Sequence, residues 1–161
     1  MPCLILALQV ITLLFINMNS QSRFAVNTPN IVCEIFDNEV VAVNLDVGIY
    51  YSITGWSGKV WQMIQNGLSI EEMDQILTKY CDDSAKINES LTKFAQNLLD
   101  KNLIISSISL DKPSSIEIQF EKIDRMPDLL IEEFSDMQDI LLLDPVHDVD
   151  ESGWPSAKPS L

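Results

Sequence analysis

Apolar and polar positions change period twice along this chain. The first β-type run is Val32-Cys-Glu-Ile-Phe36, and it leads through Asp37-Asn38 into Val40-Val-Ala-Val-Asn-Leu45. Asp46-Val47-Gly48 then separates that run from Ile49-Tyr-Tyr-Ser-Ile53. Turn residues between β-branched and aromatic stretches predict a three-strand antiparallel meander. The third strand has the composition of a pleated, partly buried surface.

After Thr54-Gly55 the spacing becomes helical. Val60, Trp61 and Ile64 fall on one side of a short first helix that stops at Asn66-Gly67. Ser69-Ile-Glu-Glu72 has the form of a capping box, in which the serine oxygen accepts a backbone N–H and Glu72 reaches back. Ile70, Met73, Ile76 and Leu77 make the apolar stripe of a second helix. A third starts near Asp83-Ser84 and runs to Lys101, with Ile87, Leu91, Phe94, Ala95, Leu98 and Leu99 together. Asn102 suits the left-handed position after it, and Leu103-Ile-Ile105 is an apolar exit. The expected fold is α+β and winged helix-turn-helix-like: a three-stranded antiparallel sheet followed by three helices.

Charge divides the chain further. The 161 residues carry a net charge of −14, with 47% hydrophobic and 21% charged residues. From Asp111 onward there are 13 acids against 4 bases, whereas the preceding 110 residues hold 11 against 6. This step, beside Lys112-Pro113-Ser114-Ser115, predicts three regions: an apolar extension over 1–17, a folded domain over 24–110, and an acidic, largely irregular tail over 111–161. A phosphate-binding footprint needs clustered bases, so a general nucleic-acid binder is disfavoured. Cys3, Cys33 and Cys81 are widely spaced and odd in number, which gives neither a disulfide framework nor a zinc site.

Val43-Asn-Leu-Asp-Val-Gly-Ile-Tyr-Tyr-Ser-Ile-Thr54 resembles the LD-x-x-x-G-x-Y-Y-x-L-N strand pair of PqqD-like proteins. The likeness continues through Gly58, Val60 and Trp61, through Gly67, Ser69 and Glu72, and ends in Phe94 and the segment from Leu98 to Leu103. Ile53, Thr54 and Val47 depart mildly from that pattern. The resemblance implies a non-catalytic peptide-recognition domain that serves ribosomally made, modified peptides or the maturation of a pyrroloquinoline-quinone-type cofactor. Its implied partners are a precursor (leader) peptide, which adds as an extra strand, and a modifying enzyme of the same pathway. The implied peptide-binding residues are Ile49, Tyr50, Tyr51, Ser52 and Ile53 on the edge strand, facing Leu91, Phe94, Ala95 and Leu98 on the third helix. An exposed strand edge offers unpaired N–H and C=O groups that an extended peptide can satisfy. The same edge could also pair two copies into a homodimer. Tyr50 and Tyr51 point to opposite faces, so one of them belongs to the core or the bare surface. Phe94 and Leu98 equally suit a core, and Trp61 suits it best.

The alternative from another class is a winged-helix DNA-binding regulator, since fold alone does not decide function. Ser84 to Asp100 offers only Lys86 and Lys93 as bases, few for a groove-reading helix. A purely structural subunit of a maturation complex is the third reading. Catalysis is not expected: the lone His147 is remote in sequence from Cys33 and Cys81, and no nucleophile elbow, phosphate loop or zinc-protease motif occurs. No cofactor is expected.

Leu4 to Ile16 is an apolar run of 13 residues, short of the roughly 20 that span a bilayer. It lacks the basic start of a signal peptide. A start at Met18 is the simplest reading, beside an inserted anchor or atypical signal or a core element, and the expected location is cytoplasmic. In the tail, Ile116-Glu-Ile-Gln-Phe120 alternates as a strand would, and Leu129, Leu130, Ile131 and Phe134 predict a short helix after Pro127. Met137, Leu141, Leu142, Leu143 and Trp154 form a candidate partner-docking segment, apolar anchors set among acids. The tail is read as a recognition segment or a fused substrate-like peptide, as a cover folded onto the edge strand in cis, or as solvated chain. Asp144, His147, Asp148 and Asp150 have no established ligand spacing, so no metal is assigned.

Overall fold

The structure is a computed structural model, and it describes residues 20–37, 39–107 and 118–136. In chain order the elements are β1 (Arg23–Val26), β2 (Ile31–Phe36), β3 (Glu39–Asn44), β4 (Ile49–Thr54), α1 (Gly55–Gln65), α2 (Ile70–Leu77), α3 (Ser84–Asp100), β5 (Ile104–Ser107) and β6 (Glu132–Phe134). The protein is an α+β fold of antiparallel sheets and three helices, consistent with a winged helix. The expected meander is present: β2 pairs with β3, and β3 with β4, both antiparallel. Its two turns use left-handed backbone, at Asp37 (φ 50°) and at Gly48 (φ 67°). A side chain at Gly48 would meet the left-handed penalty that glycine escapes.

Two pairings lie beyond the expected three strands. β1 and β5 form a separate two-stranded sheet, with Arg23 opposite Ser107 and Val26 opposite Ile104. The apolar exit after α3 is thus a strand, entered through the left-handed Asn102 (φ 54°). β6 adds to the four-stranded sheet in the order β2-β3-β4-β6. The helix expected after Pro127 is replaced by this extended strand. The edge of β4 gives the segment's backbone hydrogen-bonding partners that a helix would otherwise have supplied internally.

Alternation places one face of the sheet inward. Val40, Ala42, Tyr51 and Ile53 are buried there, on the side where α1 packs. Trp61, Ile64, Met73, Leu77, Ile87, Leu91, Phe94 and Leu98 complete the same core. Residues 118–136 lie against this body. Phe120 sits between Trp56 and Tyr80, with ring centroids 4.8 and 5.3 Å away. The backbone N–H of Ile123 donates to the Tyr80 carbonyl at 2.8 Å, and that of Leu130 to Ser57 Oγ at 2.8 Å. Met126, Leu129 and Ile131 pack on the core from outside. The residues of the apolar extension over 1–17 lie outside the described part, as do the docking residues Met137, Leu141, Leu142, Leu143 and Trp154, and Asp144, His147, Asp148 and Asp150.

The capping box of α2 is complete, and it is tied to β1. Ser69 Oγ accepts from the Glu72 N–H at 3.2 Å, while the Glu72 carboxylate accepts from the Ser69 N–H at 2.7 Å. Arg23 donates to both Glu72 carboxylate oxygens, at 2.7 and 3.0 Å, and to the Gly67 carbonyl. Such a forked pair is stronger than a single point contact. The Arg23 guanidinium holds the Glu72 carboxyl below its ordinary value of 4.5. The pair's stabilisation is therefore complete above about pH 4.5 and is lost as pH falls through the lower folded-state value. Glu72→Gln keeps the cap acceptor but removes the charge. It is expected to cost about 1 kcal/mol at pH 7, after allowing for partial exposure. The melting-temperature gap to wild type, followed by circular dichroism, should close as pH drops below 4.5; a gap constant down to pH 3 would exclude the ion pair as its origin.

Candidate functional site

The site is the free side of β4, where β6 lies. Tyr50 is opposite Phe134, Tyr51 opposite Glu133, and Ser52 opposite Glu132. A strand's main chain reads no sequence, so selectivity has to come from side chains that alternate between the two faces. On the outer face Tyr50 and Phe134 stack, with centroids 5.1 Å apart and planes 14° apart. The Tyr50 hydroxyl donates to Asp136 Oδ1 at 3.1 Å. Partial desolvation pushes the Tyr50 phenol up, and the hydrogen bond to Asp136 and its charge act in the same direction. It therefore stays protonated, a hydrogen-bond donor, at neutral pH.

On the inner face the end of α3 supplies a cation. Lys101 Nζ lies 2.5 Å from Glu133 Oε2 and 5.6 Å from the centroid of the Tyr51 ring. The ammonium thus meets a carboxylate and an aromatic face together, and side-chain exposure of only 27% lessens the solvent screening of that pair. Burial and then the Glu133 charge push the Tyr51 phenol up, while Lys101 pulls against them. Ile131 follows on the same face and packs on the core.

The edge-strand residues singled out from sequence divide by face. Tyr50 and Ser52 are half-buried on the outer side, and Ser52 Oγ donates to Glu39 Oε1 at 2.5 Å. Tyr51 and Ile53 are core, and Ile49 packs against it. Leu91, Phe94, Ala95 and Leu98 are all buried, at 2% exposure or less, with the segment over 118–136 in place. The fold thus brings Tyr50, Tyr51 and Ser52 to the edge, while the four α3 residues are buried in the core. Lys101, Glu133, Phe134 and Asp136 were not singled out by sequence reasoning as site residues. The segment Leu130–Phe134 does not alternate apolar and polar residues, so it carried no strand signal, and for Lys101 there was only its place at the end of a helix.

Other chemistry is sparse among the described residues. No group of three or more His, Cys, Asp or Glu side chains is placed to hold a metal ion. A cleft of about 800 Å³ opens beside β2, at the sheet's opposite edge, lined in part by Arg23, Thr28, Cys33 and Gln65. Burial pushes the Cys33 thiol up, which leaves it protonated at neutral pH and a poor nucleophile. No helix of the described residues is long and apolar enough to cross a membrane.

No curated protein matches the chain. A solved structure described as TbiB1 in complex with the TbiA(beta) leader peptide is similar at 26% identity, covering 50% of this chain and 93% of that one, with a TM-score of 0.45. The PqqD family model, described as coenzyme PQQ synthesis protein D, matches residues 39–104, the stretch that holds β3, β4 and all three helices.

Proposed function

We propose that this chain is a non-catalytic peptide-recognition module. It binds the leader of a ribosomally made precursor peptide by strand addition at β4 and presents it to a modifying enzyme. The observation that carries the reading is the β4 edge itself, which accepts an extended segment in antiparallel register with a defined contact on each face. The PqqD match over residues 39–104 supports it, because it spans the strand and helices that build that edge. The bases of α3 lend little to a DNA-reading helix, as Lys86 pairs with Asp83 and Lys93 with Glu89.

Isothermal titration of the full chain against the precursor peptide encoded beside it tests the reading. One-to-one binding is expected. Proline placed in the leader at a residue whose N–H pairs with β4 should weaken it at least tenfold, because proline removes the ladder donor. Binding that ignores proline at every leader position would exclude strand addition.

A further inference from the structure

The β4 edge is already occupied, and by this chain. Glu132, Glu133 and Phe134 pair with Ser52, Tyr51 and Tyr50, and Asp136 takes the Tyr50 hydroxyl. Every polar or aromatic handle described above at this edge is met: Lys101 by Glu133, the Tyr50 ring by Phe134, the Tyr50 hydroxyl by Asp136. A strand of three residues with no buried side chain of its own cannot hold its place by apolar burial. It is held by these contacts, by the ladder, and by Met126, Leu129 and Ile131 ahead of it.

The composition of the occupant is informative. From Asp128 to Asp136 the segment carries Asp128, Glu132, Glu133 and Asp136 and no base. It sits on a chain whose net charge is −14, so general attraction does not explain an acidic occupant; the local cation Lys101 does. The aromatic residue is matched in the same way, since Tyr50 offers a flat ring on the outer face.

We propose that Glu132–Asp136 is an intramolecular ligand of the recognition edge, and that the peptide this edge takes from another chain has the same chemistry. That peptide is extended and carries an acid opposite Tyr51, an aromatic opposite Tyr50, and a second acid two residues after the aromatic. This deepens the peptide-recognition reading and rests on it. An incoming peptide displaces β6, so its apparent affinity is its intrinsic affinity reduced by the fraction of molecules with a free edge. Tethering favours the resident segment, whose effective concentration is in the millimolar range for a short connection.

The test uses a fluorescein-labelled synthetic peptide with the sequence of Asp128 to Asp136, titrated by anisotropy against the full-length chain. The comparison is the full-length Glu133→Ala/Phe134→Ala variant, which loosens the resident segment. Both side chains are partly exposed, Phe134 at 37%, so the core is untouched, and a retained cooperative circular dichroism melt verifies that the fold is kept. The variant should bind the labelled peptide at least tenfold more tightly than wild type. Equal binding by the two chains, or binding by neither, overturns the proposal. The precursor peptide, titrated in parallel, separates this proposal from the reading beneath it. If the precursor binds both chains equally and the labelled peptide binds neither, the intramolecular ligand and the shared peptide chemistry are both wrong, while leader recognition stands. If the labelled peptide binds the variant and no precursor does, the edge recognises such peptides but leader recognition fails.

Discussion

Trp61→Ala should lower the protein's stability by about 3–5 kcal/mol, the usual cost of deleting a large buried aromatic. Trp61 has no exposed surface and lies in the core beneath the sheet. Domains are stable by only about 5–15 kcal/mol, so this loss takes up much of the margin. The melting temperature should fall by roughly 6–20 °C, at about 2–4 °C per kcal/mol for a chain near this size. Trp61→Phe provides the control. The Trp61 indole N–H is buried without a good hydrogen-bond partner, facing only the weak acceptor of the Cys33 thiol. Replacing it with an apolar ring removes a poorly compensated donor, worth about 1–3 kcal/mol, and this offsets part of the lost volume. The phenylalanine variant should therefore melt much closer to wild type than the alanine variant. Equal losses in thermal and urea melts would show that neither the volume kept by phenylalanine nor the removal of the poorly paired N–H stabilises the core.

That contrast also marks where sequence reading succeeds. The meander, the three helices, the capping box at Ser69 and the left-handed Asn102 were all visible because each is a local rule: a period, a cap or a turn acting within a few residues. β1 and β5 were not. Each is four residues long, and Arg23 meets Ser107 from far along the chain, so neither stretch contains the reason it is extended. β6 is the sharpest case. Leu129, Leu130, Ile131 and Phe134 fit a helical stripe, yet the unpaired edge of β4 overrides that local preference.

The site divides on the same line. An apolar stripe on α3 is legible, but whether Leu91, Phe94, Ala95 and Leu98 line a groove or fill a core depends on what lies over them. In the structure they are core. Lys101 carries no motif, and its meaning comes entirely from Tyr51 and Glu133 being brought beside it.

Reversing that lysine gives the largest expected effect on binding, but only in the right background. Lys101→Glu replaces an attraction to the acid opposite Tyr51 with a repulsion, and like charges brought together at an interface cost several kcal/mol. In the wild-type chain the same change also weakens the hold on Glu133. Resident and incoming peptides lose together, so the apparent affinity for the labelled peptide should shift by no more than about threefold. With Glu133→Ala/Phe134→Ala already present there is no such cancellation. Lys101→Glu should then weaken the peptide about 10- to 100-fold, or about 1.4–2.8 kcal/mol. A labelled peptide carrying lysine at the position of Glu133 should recover most of that loss against the Lys101→Glu protein, because the pair is then restored with its charges exchanged. Anisotropy titrations of the four protein–peptide combinations measure this coupling directly. If the two peptides respond identically to Lys101→Glu, Lys101 does not read the acid, and the selectivity of the edge must come from the Tyr50 ring alone.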